Sequence, residues 1–86
     1  MFAKIFEHKR YDQIVLMKRQ DSQGAPEIRF YFTAEGYGVC EFGIGFHDDA
    51  DAETRLAQAF EQITPQEATQ IIDGWMQHMQ ASKERH

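Results

Sequence analysis

The sequence predicts an α+β domain, in which a four-stranded antiparallel meander is followed by two helices that cover one face of the sheet. Before about residue 46, strand-like runs rich in β-branched and aromatic residues are separated by short connections, which favour hairpins between neighbouring strands. After the acidic stretch HDDADAE, residues 47–53, apolar residues recur at helical spacing instead. The predicted architecture is therefore a ββββαα two-layer sandwich.

The four strands are predicted at about residues 2–8, 13–19, 27–33 and 37–46. The sequence KRYD connects the first two strands, and QDSQGAP, with its Gly-Ala-Pro run, marks the turn before the third. The second strand contains the run Ile-Val-Leu-Met, residues 14–17, which is apolar on both faces. Its pattern alone therefore leaves open which face is buried.

The third hairpin is predicted from the pairing of its side chains. A three-residue loop, residues 34–36, with its glycine in the left-handed conformation places Phe30 opposite Cys40 and Arg29 opposite Glu41. Apolar residues then meet apolar residues and opposite charges meet, as cross-strand pairing prefers. A two-residue loop would set Phe30 against Glu41. In the three-residue register, one face carries the predicted core residues Ile28, Phe30, Phe32, Cys40, Phe42, Ile44 and Phe46.

The two helices are predicted at about residues 52–62 and 65–80, and the tail 82–86 is expected to fray. Asp49 and Asp51 are both suitable caps for the first helix. The second helix begins at the sequence TPQE, which has a capping threonine, a proline at the first helical position and a glutamate that completes a capping box. Its apolar stripe comprises Ala68, Ile71, Ile72, Trp75, Met76 and Met79.

The length of 86 residues predicts a single domain, placed at residues 1–81. A secretory signal is not expected, because the residues after Met1 lack a basic start followed by a long apolar run. No apolar stretch approaches the ~20 residues that span a bilayer, so no membrane partner is expected. The single cysteine, Cys40, excludes an internal disulfide and favours a reducing compartment. These features predict a cytoplasmic protein.

The formal net charge of −5 is unevenly distributed along the chain. Residues 1–29 hold six of the nine basic residues against four acids, a net charge of +2, whereas residues 30–86 carry a net charge of −7. Phosphate binding depends on positive charge, so this distribution argues against nucleic acid as a partner of the second half. The acidic second half would instead suit a basic protein partner.

No motif for catalysis, a cofactor or a metal stands out. The acidic stretch 47–53 alternates carboxylates as calcium loops do, but it lacks their glycine at the sixth position and is interpreted as a helix N-terminus rich in capping residues. No two histidines have the spacing that places two metal ligands on one helical face. Cys40 is predicted to face inward, where a thiol in apolar surroundings is unreactive. The chain is therefore predicted to be non-enzymatic.

Two glycines of the fourth strand, Gly43 and Gly45, point away from the predicted core. Glycine weakens a strand, so this repetition indicates either a trough for a partner's side chains, or Tyr31 or Met17 folded over the backbone, or a β-bulge at one of the glycines. The trough hypothesis predicts an interaction surface that comprises Val15, Met17, Tyr31, Val39, Glu41, Gly43 and Gly45. The expected partner is a protein, foremost a second copy in a homodimer, because a two-fold dimer presents the same surface twice.

Two other classes of function remain open from the sequence. A regulator could bind nucleic acid through the basic residues of the first half, which are Lys4, Lys9, Arg10, Lys18, Arg19 and Arg29, although the aromatic signature of RNA-recognition sheets is absent. A small ligand could occupy a pocket between sheet and helices lined by Phe42, Phe46, Trp75 and Met79, although such residues usually form the core of a domain of this size.

Overall fold

The computed structural model of the protein describes residues 3–46 and 49–84. Within these ranges the predicted α+β architecture is confirmed, with four strands in one antiparallel sheet followed by two helices. The sheet has the order β1-β2-β3-β4, so each strand pairs with its neighbour in sequence. The elements are β1 (Ala3–His8), β2 (Asp12–Gln20), β3 (Pro26–Ala34), β4 (Gly38–Gly45), α1 (Ala52–Gln62) and α2 (Pro65–Glu84).

The structure shows which face of β2 is buried. Ile14 and Leu16 are buried beneath the helices, at 1% and 0% exposure, whereas Val15 and Met17 lie on the opposite face. This arrangement follows from the two-residue period of a strand, because the helices cover only one side of the sheet. The second face therefore keeps apolar side chains that no described helix covers.

The predicted register of the third hairpin is wrong by two residues. Phe30 lies opposite Phe42 instead of Cys40, and Arg29 lies opposite Gly43 instead of Glu41. The loop begins one residue later than predicted: the Ala34 carbonyl accepts a hydrogen bond of 3.0 Å from the backbone N–H of Tyr37. A shift of two residues preserves the side-chain alternation, so the division of the hairpin into two faces is as predicted.

The two helix starts differ in how they are capped. Asp51 occupies the N-cap position of α1 without a side-chain hydrogen bond, while the Asp49 carboxylate accepts the Asp51 backbone N–H at 2.9 Å. In α2, the Thr64 hydroxyl oxygen accepts the Glu67 backbone N–H at 3.1 Å, as the TPQE signal predicts. The helix continues to Glu84, beyond the predicted end near residue 80. Neither described helix is long and apolar enough to cross a membrane.

An aromatic stack joins the buried core of the sheet to α2 through the edge strand β4. The rings of Phe30 and Phe42 are parallel, with centroids 4.9 Å apart, and the Trp75 indole stacks on Phe42 at the same distance. Phe32 meets Phe42 and Trp75 edge to face. Offset or edge contacts of this kind stabilise a core beyond the area they bury. The remaining buried cluster includes Ile14, Leu16, Ile28, Leu56, Phe60, Ala68, Ile72 and Met76.

Candidate interaction surface

The side of the sheet that faces away from the helices is called the outer face below. It is formed by alternate residues of all four strands, which the pairing aligns in rows. One central row is Ile5, Val15, Tyr31 and Glu41, and the next is Ala3, Met17, Arg29 and Gly43. Every sequence-predicted surface residue lies on this face, with Val39 at one end of β4 and Gly45 at the other.

The outer face is apolar along β1 and β2. Ile5 lies opposite Val15, and Ala3 lies opposite Met17. Ile5 is 60% exposed and Met17 is 37% exposed, so both side chains are available for contact. Tyr31 borders this half of the face because it pairs with Val15 from β3. The predicted surface contains no residue of β1, because apolar residues occur on both faces of that strand.

Along β3 and β4 the outer face carries charged side chains that form hydrogen bonds with one another. The Arg29 guanidinium donates to the carboxylates of Glu27 and Glu41, each at 3.3 Å. Burial alone would lower the pKa of Arg29, but the hydrogen bonds to Glu41 and Glu27 outweigh it and raise that pKa. Glu27 is only 6% exposed, and Arg29 neutralises its charge. Removing one partner of such a pair would leave a buried charge without compensation.

Gly43 and Gly45 have different surroundings. A Cβ atom on Gly43 would lie 2.8 Å from the Glu27 carboxyl carbon and closer still to a carboxylate oxygen. The space over Gly43 is therefore occupied by Glu27, which is not among the predicted surface residues. A Cβ atom on Gly45 would have no described atom within 4 Å. The trough predicted from the two glycines is open only at Gly45.

This difference predicts opposite outcomes for two alanine substitutions. Gly43→Ala is expected to lower the free energy of unfolding by about 1 kcal/mol, because Glu27 must leave its position beside Arg29. Gly45→Ala is the matched control, and it is expected to leave stability unchanged or to raise it slightly, because alanine loses less backbone entropy than glycine. Urea denaturation of both variants measures the difference. Equal stabilities would show that Gly43 does not serve to accommodate Glu27.

The basic residues of the first half are spread over different sides of the domain. Lys4 and Lys18 lie on the helix side, with their ammonium groups 5.6 and 5.1 Å from the centre of the Phe60 ring. Lys4 also donates to the Glu61 carbonyl oxygen at 2.7 Å, near the end of α1. Arg19 lies on the outer face instead. Lys4 and Lys18 therefore lie on the opposite side of the sheet from Arg19 and Arg29.

The predicted ligand pocket is largely filled by its own lining. Phe42 and Trp75 stack on each other, so the space between them is closed. Beside the stack, an open groove of about 320 Å³ runs between β4 and the junction of the helices. Its apolar lining includes Phe46, Ile63 and Ile71, which are all half-buried. This groove contains no convergent set of buried polar groups that would orient a small ligand.

A hydrogen-bonded cluster at the β1–β2 turn was not foreseen from the sequence. The Tyr11 hydroxyl donates to the Asp73 carboxylate at 2.5 Å, and the Arg10 guanidinium donates to the same carboxylate at 3.1 Å. Burial, followed by the hydrogen bond to Asp73, raises the pKa of Tyr11 to about 12. Burial also raises the pKa of the Cys40 thiol. At neutral pH both groups stay protonated, so neither is suited to act as a base or nucleophile.

The described residues contain no group of three or more histidine, cysteine, aspartate or glutamate side chains that could hold a metal ion. Two members of the acidic stretch, His47 and Asp48, lie outside the described residues. No protein-family model matches the chain, and no characterised protein or solved structure is significantly similar to it.

Proposed function

We propose that this protein is a non-enzymatic module that acts through protein–protein contact, as a homodimer formed by its outer face. The observation that carries the proposal is the position of the exposed apolar side chains. Ile5, Met17 and Val39 are 60%, 37% and 82% exposed, and all three lie on the side of the sheet that the helices leave uncovered. Ile5 and Met17, with Val15 between them, form an exposed apolar patch on β1 and β2, and patches of this kind usually mark interaction sites.

Charge favours a second copy as the occupant of this face. The charged residues of the outer face are Glu7, Glu27, Glu41, Arg19 and Arg29, which together carry a net charge of −1. The whole chain carries −5, so most of the negative charge lies elsewhere. Two copies that join through the outer face keep the acidic helices on opposite sides of the dimer, which reduces repulsion between like charges.

The size of the outer face predicts a weak dimer. Four strands spaced about 4.8 Å apart, with about six residues each, span roughly 19 by 20 Å. This area of about 380 Å² is about half of the roughly 800 Å² that each partner buries in a specific interface of standard size. We therefore expect a dissociation constant in the micromolar range, so that association depends on the concentration of the protein. The single, buried Cys40 supports placing this dimer in the reducing cytoplasm.

The proposal is tested by sedimentation or light scattering of the full chain over a dilution series. Ile5→Glu places a charge on the outer face and is expected to weaken dimerisation about tenfold or more. The control Gln77→Glu adds the same charge at an exposed position of α2 and is expected to change dimerisation less than about twofold. A chain that is monomeric up to about 1 mM, or equal effects of the two variants, would overturn the proposal.

A further inference from the structure

We propose that the free edge of β4 binds an extended, basic segment of a partner protein, which joins the sheet as a fifth, antiparallel strand. β4 is the last strand in the sheet order, and within residues 3–46 and 49–84 no strand lies along its other edge. A strand edge of this kind presents backbone N–H and C=O groups and is a template for strand addition. This edge is a different surface from the outer face, so the inference does not rest on the proposed homodimer.

One hydrogen bond shows which backbone groups face the free edge. The Phe46 backbone N–H donates to the Pro26 carbonyl oxygen at 3.0 Å, so Phe46 directs its backbone groups toward β3. Residues of an antiparallel strand alternate in this direction, so every second residue of β4 directs its N–H and C=O away from β3. These edge residues, which are all exposed, are Val39, Glu41, Gly43 and Gly45.

β4 lacks the features that usually protect an edge strand from pairing, such as lysine, proline, a bulge or a charge on the core side. The opposite edge, β1, has such a charge, because Lys4 lies on the helix side and donates to the Glu61 carbonyl oxygen. β4 has eight residues against six in β1, and it contains no Lys, Arg or Pro. Its pairing with β3 is continuous from Gly38 to Gly45. β4 is therefore the edge that is open to a further strand.

The groove between β4 and the junction of the helices lies on the side where half of the added side chains would point. Its volume is about 320 Å³, and its apolar lining includes Ile44 and Phe46 of the sheet and Ile63 and Ile71 of the helices. An added strand directs every second side chain to this side of the sheet. A large apolar residue opposite Ile44 would enter the groove. The ladder of backbone hydrogen bonds would then supply the orientation that the groove does not.

On the outer side of the sheet, the added strand would meet carboxylates. Glu41 is itself an edge residue, and the Glu27 carboxylate lies over Gly43. Arg29 bonds to both carboxylates, which leaves this group of three side chains with a net charge of −1. Arg19 lies two strands away, on β2. A lysine or arginine opposite Gly43 would neutralise the group, and opposite charges on neighbouring strands are attractive.

The same carboxylates disfavour a second copy of β4 as the added strand. The three antiparallel registers centred on the edge residues pair Glu41 with Glu41, Glu41 with Gly43, or Gly43 with Gly43. Because Glu27 lies over Gly43, each register brings carboxylates of the two copies together. Like charges on paired strands are destabilising. The segment that fits this edge is therefore basic on one side and apolar on the other.

Binding of a labelled heptapeptide to the full chain tests the proposal. The probe is acetyl-Lys-Phe-Lys-Thr-Lys-Thr-Lys with a fluorophore at its C-terminus. Antiparallel to β4, it covers Val39 to Gly45, with the phenylalanine opposite Ile44 and a lysine opposite each edge residue. Fluorescence anisotropy is expected to show saturable binding with a dissociation constant below about 1 mM.

Two N-methylated peptides distinguish strand addition from non-specific attraction. In the proposed arrangement, the backbone N–H groups of the lysines face β4, whereas that of the phenylalanine faces away. N-methylation of the lysine opposite Gly43 removes a donor to β4 and is expected to weaken binding at least about tenfold. N-methylation of the phenylalanine is the matched control and is expected to change binding less than about threefold.

Two charge substitutions in the protein test the preference for a basic segment. Glu41→Lys places a cation beside the lysines of the unmethylated peptide and is expected to weaken its binding about tenfold. Glu7→Lys makes the same change at an exposed position of β1, on the opposite edge of the sheet, and is expected to alter binding less than about threefold. Circular dichroism of each variant establishes that it is folded.

The expected pattern of all four comparisons supports strand addition at β4. Equal weakening by the two N-methyl groups, equal effects of the two charge substitutions, or no binding of the unmethylated peptide at about 1 mM would each overturn the proposal. Self-association of the chain is measured separately by sedimentation. Failure of the peptide to bind would therefore leave the proposed homodimer standing, and a monomeric chain could still bind the peptide.

Discussion

Replacing Phe30 with alanine is expected to lower the free energy of unfolding by about 4 kcal/mol. Phe30 has no exposed surface, and its ring is the sheet end of the stack that continues through Phe42 to Trp75. Alanine would remove the ring and leave a cavity between the sheet and the helices, which the neighbouring aromatic rings fill only in part. Domains of this size are stable by only about 5–15 kcal/mol, so much of the chain would unfold at 37 °C.

Urea denaturation monitored by the fluorescence of Trp75 measures this loss. The control is Val39→Ala, which removes two methyl groups from a side chain that is 82% exposed and is expected to change stability by less than about 0.5 kcal/mol. The comparison is made at a protein concentration well below that at which the proposed dimer would form. A Phe30→Ala variant within about 1 kcal/mol of the parent would contradict the central place of this ring in the core.

The second large effect is expected at the turn between β1 and β2. Tyr11→Phe keeps the buried ring but removes the hydroxyl group that donates to Asp73, and we expect a loss of about 2 kcal/mol at neutral pH. A double-mutant cycle with Asp73→Asn isolates the hydrogen bond from the other effects of each substitution. Additive losses in the double variant would mean that the bond does not contribute to stability.

The hydrogen bond between Tyr11 and Asp73 should also make the stability of the protein depend on pH in the alkaline range. The pKa of Tyr11 is raised from 10.0 to about 12 in the folded protein, so the unfolded chain releases the phenol proton at a lower pH than the folded protein does. The contribution of Tyr11 to stability is therefore complete below pH 10 and is lost as the pH rises toward about 12. Stability curves of the parent and of Tyr11→Phe should converge over this range. If the two stability curves stay parallel over this range, the raised pKa of Tyr11 is contradicted.

The contribution of Asp73 to stability depends on pH in the opposite direction to that of Tyr11. Burial alone would raise the pKa of Asp73, but the hydrogen bonds from Tyr11 and Arg10 and the charge of Arg10 hold it below its ordinary value of 3.8. The unfolded chain therefore takes up a proton first as the pH falls. The stabilising contribution of Asp73 is present above pH 3.8 and is lost below it, as the carboxylate of the folded protein becomes protonated.

The fold was predictable because its signals are local. The alternation of side chains predicted the faces of β3 and β4 correctly. The predicted start of α2 at TPQE is also confirmed, including the hydrogen bond from the Glu67 backbone N–H to the Thr64 hydroxyl oxygen. The register of the third hairpin was not predictable, because two registers that differ by two residues bury the same set of side chains. The turn distinguishes them: Gly36 and Gly38 both have left-handed φ, at 84° and 75°, whereas the predicted turn used only the first.

The position of the outer face on the sheet was predictable from the sequence, but the contacts between its side chains were not. The apolar run in β2 and the glycines of β4 indicated an uncovered surface, and the prediction that it binds a partner stays open to the tests above. Two interactions depend on residues far apart in the sequence, and no periodic pattern signals them. These are the bond between Tyr11 and Asp73 and the position of Glu27 over Gly43. Tertiary packing decides both.

The order of elements along the chain has a consequence for biosynthesis. Every strand pairs with its neighbour in sequence, so the sheet of residues 3–45 forms through hairpin contacts alone. Topologies in which most contacts are short-range in sequence fold quickly. A ribosome, however, delivers this sheet before it has made the helices. Until residues 52–84 emerge, the phenylalanine-rich side of the sheet has no cover, and a nascent chain in that state presents the surface that chaperones recognise.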